Sequence, residues 1–334
     1  MKVLNISIAG FGWWGRHIAS RLGGHADIRV TSVAETNTAL HDDIRALGLR
    51  PLDSFEAALS EPDTEAVILT TPHMFHEEQV VQAAAAGKHV FCEKPLGLTA
   101  ASARRSVAAC REAGVVLGIG HERRFEPAMR RLKAMIEEGA LGTVMHAEAA
   151  FSHDKLTGLQ TGGWRTSKEL SPGAGMTGMG IHLTDLLLWM FGPVESVQAQ
   201  TRDRVLGWPT GDMVVAQLGF DAGMTAHFNA ILATPHFMRF QVFGSDGWVE
   251  VRNASHPDTP GGVTDWLHHP KGGAPVHETL EWTDAVVANL ETFAAAVEGR
   301  APYPWSDAEL IGNIAVYEAI VASADSGETV RLNG

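Results

Sequence analysis

The feature that most constrains this chain is a trio of glycines placed where an apolar strand pattern gives way to a helical one. Residues 3–9 read as a buried strand, Gly10-Phe11-Gly12-Trp13-Trp14-Gly15 follows at once, and helical composition runs from Arg16 to Leu22. In such a strand–turn–helix the first glycine permits the tight turn. The second lets a phosphate approach the backbone, and the third lets helix and strand pack closely. The helix N-terminus then faces the phosphates. A second strand, 28–34, ends at Glu35, 20 residues past Gly15, where a carboxylate can accept hydrogen bonds from a ribose diol. Thr36 and Asn37 come next, with no arginine for a 2′-phosphate. The pattern predicts a dinucleotide site for NAD over NADP, built from the residues of the glycine turn and Glu35.

Strand–helix alternation continues the parallel sheet. Ser54 caps a helix through Leu59, 66–70 is a strand, and 75–86 is an Ala-rich helix closed by Gly87. A strand at 89–92, a helix at 99–113 and a strand at 115–119 complete the series. Two strands end at an X-Pro step, Thr71-Pro72 and Lys94-Pro95, and proline forces the residue before it into an extended conformation. Lys94 is therefore held, with Glu93, at the carboxyl edge of the sheet, where open α/β folds bind ligands. There it can bind an alcohol oxygen or exchange a proton, or it is a plain surface lysine. His76 lies one turn beyond Pro72, and both junctions should face the cofactor.

At 334 residues the chain exceeds one ordinary core, and two domains are expected, 1–121 and 122–334. The net charge of −13 comes without a basic block, which argues against nucleic-acid or anionic-membrane partners. Met1 and Lys2 lead directly into the first strand without a secretory pattern, and no apolar run reaches the roughly 18 residues a membrane span requires. A soluble cytoplasmic protein is the expectation. Cys92 and Cys110 cannot build a disulfide framework or a cysteine zinc site, and Cys92 reads as a small core residue. No H-E-x-x-H occurs either, so sequence spacing gives no metal.

From 122 onward the pattern changes. A helix at 127–138 is followed by strand-like runs at 143–151, 194–203, 211–220, 223–232, 237–243 and 247–252, several joined by Gly or Asp-Gly turns. The fold class expected is an α/β Rossmann domain followed by an α+β domain with a large, mostly antiparallel sheet open on one face. Residues 253–275 read as a Gly/Pro/His-rich loop with His268 and His269 in solvent, and helices at about 284–298 and 306–326 close the chain. The chemistry of this half lies in Gly173-Ala-Gly-Met-Thr-Gly178-Met-Gly-Ile-His182-Leu-Thr-Asp185. On a helix 178, 182 and 185 would share a face, and imidazole suits proton exchange near neutrality. Trp164 and Arg165 precede this run; Arg165 can fork onto a carboxylate or diol.

Taken together, the glycine turn, Thr71-Pro72 with His76, and Ala86-Gly-Lys-His-Val-Phe-Cys-Glu-Lys-Pro-Leu96 resemble the glucose–fructose oxidoreductase, inositol dehydrogenase and rhizopine-catabolism (Gfo/Idh/MocA) family. So do Gly120-His-Glu-Arg-Arg-Phe-Glu-Pro127, Gly139-Ala-Leu-Gly-Thr143, Gly178–Asp185 and the tail from Ala319 to Gly327. The resemblance implies a dehydrogenase with its active site in the cleft between the domains. Lys94 would polarise the reacting hydroxyl of a sugar, inositol or cyclic polyol, and His182 would take its proton. Thr71, Pro72, His76, Glu93 and Lys94 would line the cofactor, and Trp164, Arg165, His182 and Asp185 the substrate; His153 and Asp154 are further pocket candidates. It also implies a homodimer or homotetramer through the sheet, and often a cis peptide before Pro95. Most sugar- and inositol-oxidising relatives carry an aspartate where this chain has Gly178, so Asp185, Glu122 or Asp154 would have to substitute, or the vacated space would admit a bulkier or anionic substrate. A non-catalytic NAD-binding sensor, an NAD-dependent glycosidase and a dihydrodiol dehydrogenase remain open alternatives.

Overall fold

β1 (Leu4–Ala9) is apolar almost throughout because it is buried on both sides at the middle of a parallel sheet. The computed structural model describes residues 3–332, so the reading that rested on Met1 and Lys2 lies outside them. Six parallel strands run in the order β3-β2-β1-β4-β5-β6, with β2 at Ile28–Ala34, β3 at Arg50–Leu52, β4 at Ala66–Leu69, β5 at His89–Cys92 and β6 at Leu117–Ile119. Strand order reverses between β1 and β4, which makes the carboxyl ends of these two strands the switch point of a doubly wound sheet.

The intervening helices are α1 (Trp13–Arg21), α2 (His41–Ala46), α3 (Phe55–Ser60), α4 (His76–Ala85) and α5 (Ala100–Ala113). Their ends follow local chemistry. Ser54 Oγ accepts from Ala57 N to start α3, and Thr99 and Ser102 form a reciprocal capping box on α5. Gly114 closes α5 at φ 67°, a left-handed position that costs glycine nothing. Neither α2 nor β3 was anticipated, and α1 begins at Trp13, three residues before the expected start.

The second sheet has nine strands in the order β14-β13-β12-β11-β7-β10-β9-β8-β15. They are β7 (Val144–Ser152), β8 (Val194–Arg202), β9 (Met213–Phe220), β10 (Thr225–Ile231), β11 (Phe237–Gly244), β12 (Gly247–Asn253), β13 (Val263–Pro270), β14 (Val276–Glu281) and β15 (Val330–Arg331). All neighbours are antiparallel except β7 and β10. Along β9, Val214, Ala216 and Leu218 are buried while Val215 and Gln217 are exposed. That two-residue period is the signature of one covered and one open face. The same unit carries α6 (Pro127–Glu137), with Pro127 at the first helical position, and α7 (Gly180–Phe191).

Two expectations are corrected. The supposed loop 253–275 contains β13, whose Trp266 is 1% exposed, and β14 follows it. His268 and His269 therefore lie on a strand; His269 stacks on Trp248 with ring centroids 5.6 Å apart, and burial lowers the pKa of His268. β14 is exposed at nearly every position, so it has no apolar alternation to read.

The second correction concerns 122–334 as one domain. Residues 286–314, including most of α8 (Ala285–Val297) and the start of α9 (Asp307–Ser326), belong to the first unit. Leu290, Phe293 and Ala294 join Ile6, Ile8, Phe11 and Phe91 in its core, and Phe91 meets Phe293 edge to face at 5.6 Å. Asn289 donates to the Ile119 carbonyl at 2.8 Å, and the Tyr303 hydroxyl bonds the same residue's backbone. Among the described residues the second unit comprises 122–285 and 315–332.

Candidate active site

At the switch point the backbone of the glycine turn is held open. Gly10 has φ 91°, and Thr70 Oγ1 donates towards the Ala9 and Gly10 carbonyls at 2.9 Å each. A Cβ at Gly15 would overlap the Gly10 carbonyl oxygen, whereas one at Gly12 would meet nothing within 4 Å. Packing thus requires the glycine at 15, and the bare approach at 12 is left for something outside the chain. Glu35 reaches back from the end of β2: Phe11 N donates to one carboxylate oxygen and Asn37 N to the other, both at 2.8 Å. Its remaining lone pairs stay available to a ribose diol. Those features fit a dinucleotide lying across the end of β1. Trp13 is 68% exposed and, with Trp14 and His17, forms an aromatic stack on the first turn of α1.

The two X-Pro junctions are tied together by a residue predicted to touch cofactor. His76 is fully buried; Nδ1 lies 2.7 Å from the Pro95 carbonyl and Nε2 2.9 Å from the Thr71 carbonyl. Burial lowers its pKa; the two carbonyls oppose that shift and the nearby Lys94 ammonium adds to it. A neutral ring donates to only one carbonyl at a time. His76 therefore braces the Pro72 and Pro95 turns from inside. The Lys94-Pro95 peptide is cis, Glu93 is buried with its carboxylate accepting from Lys94 N at 3.3 Å, and Lys94 is half-buried.

In the second unit the site forms where a 3-10 turn, Glu122–Phe125, meets α7. All four of its residues are buried. Arg124 makes a two-pronged ion pair with Asp185, Nε to Oδ2 at 2.8 Å and a terminal nitrogen to Oδ1 at 2.7 Å, while its plane lies over Trp189. One turn earlier on α7, His182 Nε2 lies 4.0 Å from Glu122 Oε1, with both side chains 4% exposed. So His182 and Asp185 do share a face, and that face packs against the turn. Arg123, 2% exposed, sits among three carboxylates: Glu122 at 3.0 Å, Glu126 at 3.0 Å and Asp258 at 2.5 Å. Burial works against its charge, but Asp258, Glu122 and Glu126 outweigh it and raise its pKa. Phe151 lies beneath His182, with His153, His236 and His256 grouped around its ring. Burial depresses His256 to about 3 despite Asp258 beside it.

Residues 4–121 match the oxidoreductase family with an NAD-binding Rossmann fold, and residues 129–250 match the GFO/IDH/MocA C-terminal domain. The chain belongs to the Gfo/Idh/MocA oxidoreductase family. Among its relatives, the 1,5-anhydro-D-fructose reductase of Ensifer adhaerens is 28% identical over 94% of this chain and 93% of that protein. The D-xylose 1-dehydrogenase (NADP(+)) 2 of Haloferax volcanii is 28% identical over 95% and 93%. The structure of GenD2 from gentamicin A biosynthesis in complex with NAD superposes with a TM-score of 0.85 at 26% identity, covering 100% of this chain and 97% of that one.

Within a Gfo/Idh/MocA chain the substitutes expected for the missing aspartate separate clearly. Asp185 has both oxygens in the Arg124 fork and is 1% exposed, so it ties the turn to the helix. Asp154 is exposed, so the environment that would tune it is missing. Glu122 is the one whose carboxylate lies 4.0 Å from His182 Nε2. Gly178 lies before α7, not on it, and a Cβ there would meet only Leu156 at 3.8 Å, so nothing in the packing demands glycine. Arg165 stacks on Trp164 with its guanidinium 4.1 Å from the ring centre, out in an exposed stretch. His153 is buried and accepts from Lys155 N at 3.3 Å. The Arg123–Glu126–Asp258 cluster was not singled out from sequence; the adjacent Glu-Arg-Arg-Phe-Glu after a strand was its one visible signal. Burial raises both Cys92 and Cys110, the latter to about 12, so neither is a nucleophile. No helix among the described residues is long and apolar enough to cross a membrane.

Proposed function

We propose that this chain oxidises a secondary hydroxyl of a sugar, inositol or related cyclic polyol, with Lys94 and His182 as its catalytic residues. The observation that carries the reading is His182, a buried imidazole placed against a buried carboxylate, in a chain whose other unit is an NAD-binding Rossmann domain. Bound NAD supplies the hydride acceptor. Lys94, fixed by the Pro95 turn and the His76 brace, hydrogen-bonds the reacting oxygen and stabilises developing negative charge. His182 takes the hydroxyl proton, and Glu122 stabilises the imidazolium that results, the service an aspartate at position 178 would otherwise give. Arg123 shares Glu122 with His182 and moderates that carboxylate's pull. The names of the relatives, an anhydrofructose reductase and a xylose dehydrogenase, support a sugar-like substrate.

NAD is proposed over NADP because the Glu35 carboxylate stands where a 2′-phosphate would meet like charge, although one relative is named for NADP(+). The test is NADH formation at 340 nm across aldoses, anhydrosugars, inositols and sugar acids, with NAD and NADP in parallel. Lys94→Ala and His182→Asn are each expected to lower kcat by about 10²–10⁴ while NAD still binds. A Lys94→Ala protein with unchanged kcat on an accepted substrate would refute the mechanism.

A further inference from the structure

On β7, His146 and Glu148 alternate with the buried Ala147 and Ala149, so they stand on the open face of the second unit's sheet, opposite the side that packs on His182. β10 is the parallel neighbour, in a register that sets Thr225 against His146 and His227 against Glu148. One donor atom from each of His146, Glu148 and His227 lies within 4.8 Å of the others. We propose that these three side chains bind a divalent transition-metal ion, Zn²⁺ as the probe, which clips β7 to β10 and keeps a position open to water.

Three observations carry the assignment. First, the ligand set is two imidazoles and one carboxylate, a combination that suits Zn²⁺ and is known with an open fourth position. Second, His146 Nε2 and His227 Nδ1 face one another at 3.3 Å. Nitrogens bound at 2.0–2.1 Å to a tetrahedral ion stand about 3.3–3.4 Å apart, so an ion fits between the rings with little rearrangement. Third, His146 is already oriented: its Nδ1 is 2.8 Å from Thr225 Oγ1. A hydrogen bond on the non-ligating nitrogen fixes the tautomer and turns the other towards the ion.

Arg239 sets the limit on affinity. It pairs with Glu148 at 2.5 Å, and Glu250 lies 3.9 Å from the same guanidinium. A carboxylate can serve an arginine and a metal together because it offers about four lone-pair directions. The arginine holds Glu148 in place while its charge opposes the ion, and Glu250 offsets part of that charge. No family motif or helical spacing reveals the trio, because the ligands come from two strands that are far apart in sequence.

The test uses the full untagged chain, stripped of metal and titrated with Zn²⁺ in competition with a chromophoric chelator. One equivalent is expected with Kd on the order of 10 μM or tighter, and with it a rise in Tm. His146→Ala and His227→Ala should each abolish that equivalent, while Thr225→Val should keep the stoichiometry and weaken binding about 10–100-fold. Should a β7 variant fail to fold, His227→Gln at its exposed position gives the same reading. Absence of a site in the wild-type chain, or an equivalent that survives the His146→Ala/His227→Ala pair, overturns the proposal in favour of a hydrogen-bonded histidine pair.

Discussion

His182 and Glu122 sit 4.0 Å apart with both side chains only 4% exposed, and at such separations a charge–charge interaction is worth about 4 kcal/mol at an effective dielectric near 20. Arg123, 3.0 Å from the same carboxylate, cancels a large part of it. The remainder is expected to show as a loss of about 10–10² in kcat for Glu122→Gln, with KM little changed, measured on whichever polyol the panel identifies. Gly178→Asp in that background should recover part of the loss, because a Cβ at that position would meet only Leu156, at 3.8 Å. If Gly178→Asp has no effect beside Glu122→Gln, the two carboxylates do not serve the same histidine. Neighbouring carboxylates thus differ in their contacts: Asp185 takes the Arg124 fork, Glu122 lies against His182 and Arg123, and Glu126 is raised by burial against the pull of Arg123 and accepts from Asn253 at 3.3 Å.

At the scale of an element, the strand–turn–helix at β1 and α1 gives a sharp contrast between two glycines. Gly15→Ala forces a Cβ onto the Gly10 carbonyl, backbone that cannot swing away, whereas Gly12→Ala meets no protein atom. The first substitution should lower stability by about 1–3 kcal/mol through overpacking. The second should leave Tm within about a degree or two, as surface changes do, and weaken NAD binding on its own. Thermal melts with and without NAD separate these outcomes; a stable Gly15→Ala protein would contradict the packing described. Such local elements were legible in the sequence because their signals are local too. Three glycines at fixed spacing, a serine or threonine before an Ala-rich run, and proline at a strand end each dictate backbone geometry within a few residues. β14 was not legible, since an edge strand exposed at nearly every position lacks the apolar alternation that marks its neighbours, and β13, paired with it, shows a buried Trp266 but no sustained alternation around it.

For the whole molecule, the return of residues 286–314 to the Rossmann unit means that residues 1–121 lack part of their own core. Phe293→Ala is expected to cost about 3–5 kcal/mol, read by denaturant unfolding, and a fragment 1–121 should show no cooperative transition. Cooperative folding of that fragment would mean the segment is dispensable. Acid should weaken the chain as well. His76 and His256 are both depressed by burial, His256 to about 3, so the unfolded chain binds protons that the native one refuses. Their contribution is complete above roughly pH 6.5 and is lost on acidification, for His256 by about 1.4 kcal/mol per pH unit down to about pH 3. Urea midpoints at pH 7 and pH 5.5 measure that slope, and His256→Gln should reduce it.

The sequence by itself determined the Rossmann half with its dinucleotide turn, the family, and the segments that hold Lys94 and His182, because each depends on short-range patterns of glycine, proline and apolar residues. Only the tertiary structure decided that His76 is a brace, that Asp185 belongs to Arg124 and Glu122 to His182, and that residues 286–314 complete the first core. The same holds for His146, Glu148 and His227, which meet only through strand pairing. The physical reason is common to all of them. A side chain's role depends on which partners the fold carries to within a few ångströms and on how much water it removes, and neither is encoded in spacing along one chain.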